Sequence, residues 1–150
     1  MPRALRPLLW TALALALLIL GSSATLRLSA NGIGCSPWPS CYGLAETANQ
    51  VQGTSLVKAL RLTHRITASI FAVLALVVVA IGWRTWTRPV KFVGLTLIAV
   101  TGLLAWVGLH TPSPLPAVTV VNVLGGLALI GLSASLLMRS TPLAGDQPEP

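Results

Sequence analysis

Four stretches of this chain, residues 8–25, 62–82, 92–109 and 117–137, are predominantly apolar and contain no acidic residue and no lysine. Each has the roughly 20 residues that a helix needs to cross a hydrocarbon core of about 30 Å. A backbone in hydrocarbon must satisfy its own hydrogen bonds, so spanning runs of this length become helices. The pattern predicts an all-α fold: an integral membrane four-helix bundle occupying residues 1–139. Hydrophobic residues make up 54% of the 150 positions and charged residues 9%. A soluble domain carries about a quarter charged residues, and a chain this short has too little interior to hide so much apolar surface from water.

The connections are unequal. A long segment, residues 26–61, joins the first two runs; residues 83–91 join the second to the third; the uncharged Thr111-Pro112-Ser113-Pro114-Leu115-Pro116 joins the third to the fourth. Residues 140–150 are polar and rich in proline, with Asp146 and Glu149, and are expected to form a disordered cytoplasmic tail. The net charge of +7 would suggest nucleic acid in a soluble protein. Here the basic residues sit at the ends of apolar runs, with no basic stripe interleaved with aromatics, so no nucleic-acid partner is expected. Arg3, Arg6, Arg84, Arg88, Lys91 and Arg139 fall on one side of the membrane and Arg27, Lys58, Arg61 and Arg65 on the other. The positive-inside bias then gives an N-in, C-in protein of the cell inner (plasma) membrane, with the long loop outside. Trp83 and Trp86 suit an interfacial belt on the inner side. The first run has a second reading. Arg3 and Arg6, an apolar core and Gly21-Ser22-Ser23-Ala24 also resemble a secretory signal peptide, whose removal would leave three helices.

Few residues are equipped for chemistry. Cys35 and Cys41 are the two cysteines, and they bracket a stiff stretch of the outer loop, Ser36-Pro37-Trp38-Pro39-Ser40. An oxidising exterior favours a disulfide between them, serving either as a structural clip or as a working redox pair. The histidine spacing fits no zinc-finger pattern. The two histidines, His64 and His110, both lie at outer ends of apolar runs, His64 opening the second and His110 closing the third. Each is either a wetted interfacial ring or one of a pair of imidazoles able to hold haem iron between facing helices. Arg27 and Arg65, on the same side, are either interfacial anchors or partners for haem propionates.

The segment Leu26-Arg27-Leu28-Ser29-Ala30-Asn31-Gly32-Ile33-Gly34-Cys35-Ser36-Pro37-Trp38-Pro39-Ser40-Cys41 resembles the outer loop of the haem A synthase family. His64-Arg65 resembles the family's His-Arg pair, and Leu115-Pro116-Ala117-Val118-Thr119 its short third connection. The likeness spans nearly the whole chain as one four-helix half, where family members usually join two. It implies oxidation of the haem O methyl group to a formyl group, giving haem A. It also implies one half that handles this substrate and another that holds a b-type haem, each half supplying histidines from its second and fourth helices. His64 matches the first of these. Asn122 stands at the second, and Arg61 stands where the family carries a glutamate thought to take part in the oxidation. An amide is a poor iron ligand beside imidazole, and a guanidinium cannot act as a base. His110, on the adjacent helix, is a candidate substitute ligand.

Three readings follow. The chain is a half-length oxidoreductase subunit of haem A synthase type, working as a homo- or hetero-oligomer with another such half. Alternatively it is a non-catalytic haem-binding partner, or a membrane thiol–disulfide protein without haem. The expected cofactor is haem, b-type or haem O/A as substrate, with His64 as the iron ligand.

Overall fold

The computed structural model describes residues 4–31, 55–109 and 116–140. Every regular element among them is a helix: α1 (Leu5–Asn31), α2 (Ser55–Gly82), α3 (Arg88–Leu109) and α4 (Pro116–Arg139). All four are long and apolar enough to cross a membrane, and the chain is a multi-pass membrane protein. Cys35, Cys41 and His110 lie outside the described residues, so the disulfide and the substitute-ligand idea do too.

Two helices outrun their apolar stretches. α1 continues through Arg27 to Asn31, and α2 starts at Ser55 rather than at position 62. Hydropathy marks where hydrocarbon begins, while helix formation continues into any neighbouring turn that packs. Val57, well before the apolar run, is 2% exposed. His64 therefore sits in the third turn of α2 instead of opening it.

The packed pairs are α1 with α2, α2 with α3, α3 with α4, and α4 with α1. The helices thus form a ring in chain order, with α2 and α4 on one diagonal and α1 and α3 on the other. One stripe of each helix makes the core. On α1 it is Leu5, Leu9, Ala12, Ala16, Ile19 and Ser22; on α2 it is Val57, Thr67, Phe71, Ala75 and Val78. This spacing of three and four residues is the seam along which antiparallel helices interdigitate. On α4 the stripe runs Gly126, Leu129, Ser133 and Leu136. The glycines admit close neighbours: a Cβ on Gly126 would lie 3.0 Å from Leu20 Cδ1, and one on Gly125 would meet the Leu104 side chain.

The outward faces carry Leu18, Ile70, Val73, Leu76, Phe92, Leu103, Leu124 and Leu127, all exposed. In water this would be an aggregation surface; in hydrocarbon it needs no partner. Four hydroxyls on these helices are satisfied locally. Thr11, Thr25, Ser69 and Thr96 each donate to the carbonyl four residues earlier, at 2.9, 2.9, 3.0 and 2.9 Å. A polar side chain can face lipid only if its proton is already committed.

The turn from α2 to α3 closes the end of the bundle opposite the long connection. Gly82 O accepts from the backbone N–H groups of Thr85 and Trp86 at 3.0 and 2.9 Å and from Thr85 Oγ1 at 3.2 Å, which caps α2. Of the two tryptophans expected in an interfacial belt, Trp83 is exposed and lies 5.3 Å beneath Lys91 Nζ. The expectation fails for Trp86, which is 4% exposed. The turn folds its indole back over Gly82 and Gly94, and a Cβ at Gly94 would stand 2.9 Å from Trp86 Cζ3. Any side chain at Gly82 would collide with the ring. Two glycines make the cradle, so the indole becomes a plug rather than an anchor.

Candidate functional site

The interior changes character along the bundle axis. Toward the α2–α3 turn the fully buried side chains are mostly apolar, among them Leu5, Leu9, Val78 and Leu136. Ser133 and Ser140 are exceptions, buried with their hydroxyls unpartnered, as is the indole N–H of Trp86. Toward the long connection the inward stripes become polar. Ser22 is 7% and Thr67 5% exposed, while Arg61, His64, Thr101, Thr119 and Asn122 are half-buried. Polar groups inside a membrane bundle cost several kcal/mol when unsatisfied, so their gathering at one end marks that end as the candidate site.

His64 is the centre of this cluster. It stands on the same stripe of α2 as Thr67 and Phe71, three residues before the former and seven before the latter, and so looks into the bundle. Its Nδ1 lies 3.1 Å from Ser22 Oγ on α1. Ser22 Oγ also donates to the Ile19 carbonyl at 3.0 Å. The hydroxyl has one proton to share between carbonyl and ring, so this contact holds the orientation of the His64 ring in either tautomer. The sequence pointed to His64 but not to Ser22. The signal that could have found the serine is the α1 seam, since positions 5, 9, 12, 16 and 19 extend naturally to 22 or 23.

Arg61 and Arg65 separate in the structure. Arg61 lies one turn before His64 on the inward side and is half-buried; Arg65 is exposed. At 100° per residue, His64 and Arg65 point in clearly different directions, so Arg65 is less suited than Arg61 to reach anything that His64 touches. Arg27 is carried by α1, five residues beyond Ser22.

Asn122 occupies the α4 stripe one turn before Gly126. Its depth follows from contacts already given. Ser22 meets His64, and Leu20, two residues deeper on α1, meets Gly126. With a rise of about 1.5 Å per residue, Asn122 lies level with His64 to within about one turn. α2 and α4 are diagonal partners, so positions 64 and 122 lie on opposite sides of the ring.

His64 is the single imidazole among the described residues, which include no carboxylate and no thiol. No group of three or more metal-ligating side chains comes together among them. A bare metal ion would find one protein ligand here, whereas iron in a porphyrin brings four of its own. An apolar groove of about 280 Å³ lies between α3 and α4, lined by Val100, Leu103, Leu104, Val121, Leu124, Gly125 and Ala128.

No protein-family model matches the chain, and no solved structure matches it. Among curated proteins, the chain resembles the Heme A synthase of Shewanella oneidensis, with 29% identity over an alignment of 151 residues. That alignment takes in 90% of this chain and 45% of the relative, so the chain spans about half the length of the curated protein to which it is similar.

Proposed function

We propose that this chain is a membrane haem-binding subunit of haem A synthase type, acting in haem A biosynthesis together with a second four-helix unit. The observation that carries the proposal is the position of His64: an inward imidazole at the polar end of the bundle, its Nδ1 3.1 Å from Ser22 Oγ, of the type that ligates haem iron. Ser22 orients the ring, Thr67 and Asn122 supply the polar lining, and Phe71 with the apolar stripes below forms the floor. When bound, haem would supply the redox chemistry; the chain's own residues hold and orient it. They offer no carboxylate to move protons, because the position where the resemblance implies a glutamate is Arg61, so the oxidation of the haem O methyl group is assigned to the partner.

Gentle detergent extraction, native mass measurement and an absorption spectrum of the same sample test this together. The expected result is bound haem and a co-purifying second unit. A lone monomer that converts haem O to haem A would overturn the division of labour.

The cysteines belong to the same proposal. Cys35 and Cys41 form a disulfide in a loop on the outer face, with both termini in the cytoplasm. Labelling of intact cells with an impermeant maleimide is expected to modify these thiols only after reduction. Two thiols reactive without reductant would exclude the disulfide. Labelling that requires permeabilised cells would reverse the topology.

A further inference from the structure

Resting on the haem reading above, we infer that Arg61 is the residue that anchors the ligand's carboxylate, so that the site selects a porphyrin with free acid groups. Arg61 is half-buried on the inward stripe of α2, between Val57, 2% exposed, and His64. It has no hydrogen-bond or ion-pair partner among the described residues, which contain no carboxylate. The wider charge balance points the same way. Arg27, Lys58, Arg61 and Arg65 gather at the end of the bundle that carries the long connection, whose single acidic residue is Glu46. Asp146 and Glu149, the remaining acids, follow α4 at the opposite end. One internal carboxylate cannot neutralise four cations.

A guanidinium withdrawn from water without a counter-ion is unfavourable, whereas a bidentate carboxylate satisfies both its charge and its planar donors. The apolar floor and His64 on one side, with a cation one turn closer to the aqueous end, match a flat amphipathic ligand whose acid groups lie along one edge. Arg65, exposed and turned away, does not share this task. Arg61 therefore replaces proton transfer with retention: it fixes the ligand by charge and cannot accept a proton from it.

The test compares iron protoporphyrin IX with its dimethyl ester, which keeps the ring and iron but removes both negative charges. Each is titrated by absorbance into the full-length protein in neutral-lipid nanodiscs. Charge-assisted contacts of this kind change affinity by about ten- to a hundredfold. The wild type is expected to bind the ester more weakly by that factor. Arg61→Gln is expected to lose the same factor for the free acid and nothing for the ester, Arg61→Lys to recover part of it, and Arg65→Gln to leave both unchanged. Equal affinity of the wild type for acid and ester would overturn the inference while leaving the haem reading intact. So would an Arg61→Gln effect that appears only on adding anionic lipid, which would give the arginine to a headgroup phosphate. A wild type that binds neither porphyrin overturns the haem reading and the inference together. The esterified ligand needs no altered protein, so the outcome does not depend on the variants folding.

Discussion

Alanine in place of His64 is expected to remove haem from the purified protein. The wild type should show a Soret band that shifts on reduction, and His64→Ala should show none after the same purification. Among the described residues the other side chain of a kind that ligates haem iron is Met138, exposed at the opposite end of the bundle, so the loss should be close to complete. Free imidazole added to the variant is expected to restore a haem spectrum by occupying the vacated volume, which separates loss of a ligand from loss of fold. Ser22→Ala keeps the ligand but removes the hydroxyl that holds the ring at Nδ1. Removing such an outer partner typically costs about ten- to a hundredfold in affinity, so this variant should bind haem weakly rather than not at all. A His64→Ala protein with unchanged haem content would break the assignment. A spectrum that collapses on His110→Ala as well would make the second histidine a co-ligand.

The fold was legible because the membrane leaves few alternatives. A run of about 20 apolar residues has no stable form in hydrocarbon other than a helix, and four such runs joined in sequence pack as neighbours. The ends of α1 and α2 were not legible from hydropathy, since Asn31 and Ser55 lie where helices extend past hydrocarbon on packing alone. Trp86 was misjudged for a related reason. Composition shows a tryptophan beside a basic cluster, but only the turn geometry shows that Gly82 and Gly94 leave a hollow that its ring fills.

The site was half legible. His64 came from its place at the end of an apolar run as well as from a resemblance, Asn122 from the resemblance alone, and the structure adds that both lie on inward stripes at a similar depth. Ser22 was hidden because Gly21-Ser22-Ser23-Ala24 looks like a cleavage motif. Its part depends on facing α2, which is a property of the α1 seam rather than of those four residues. The two arginines of α2 were weighed by sequence adjacency, which favoured Arg65 next to His64. Helical geometry reverses that order, because residues three apart share a face and residues one apart do not.

Asn122→His is expected to turn the site into a bis-imidazole centre. The stripe that carries Asn122 continues through Gly126, Leu129 and Ser133, so a histidine there would project into the bundle rather than toward lipid. α2 and α4 occupy one diagonal of the ring, and neighbouring helices lie about 8–10 Å apart. A diagonal of roughly 11–14 Å leaves room for two imidazoles with iron between them. The levels of positions 64 and 122 agree to within about one turn, a mismatch that side-chain rotation and helix tilt can absorb. With one imidazole, ferric haem in the wild type should be predominantly high-spin; with two, it should become low-spin, with sharper visible bands in the reduced state. Affinity should rise by at least about tenfold, since a second strong bond to iron is gained while the amide lost was a poor ligand. Electron paramagnetic resonance of the ferric protein reads the spin state directly. A high-spin signal that persists in Asn122→His, with haem content unchanged, would show that position 122 does not face the iron. If the conversion occurs in Asn122→His and is lost again in His64→Ala/Asn122→His, the two helices share one haem. The wild-type asparagine is then the physical reason that this chain retains a porphyrin through a single axial histidine.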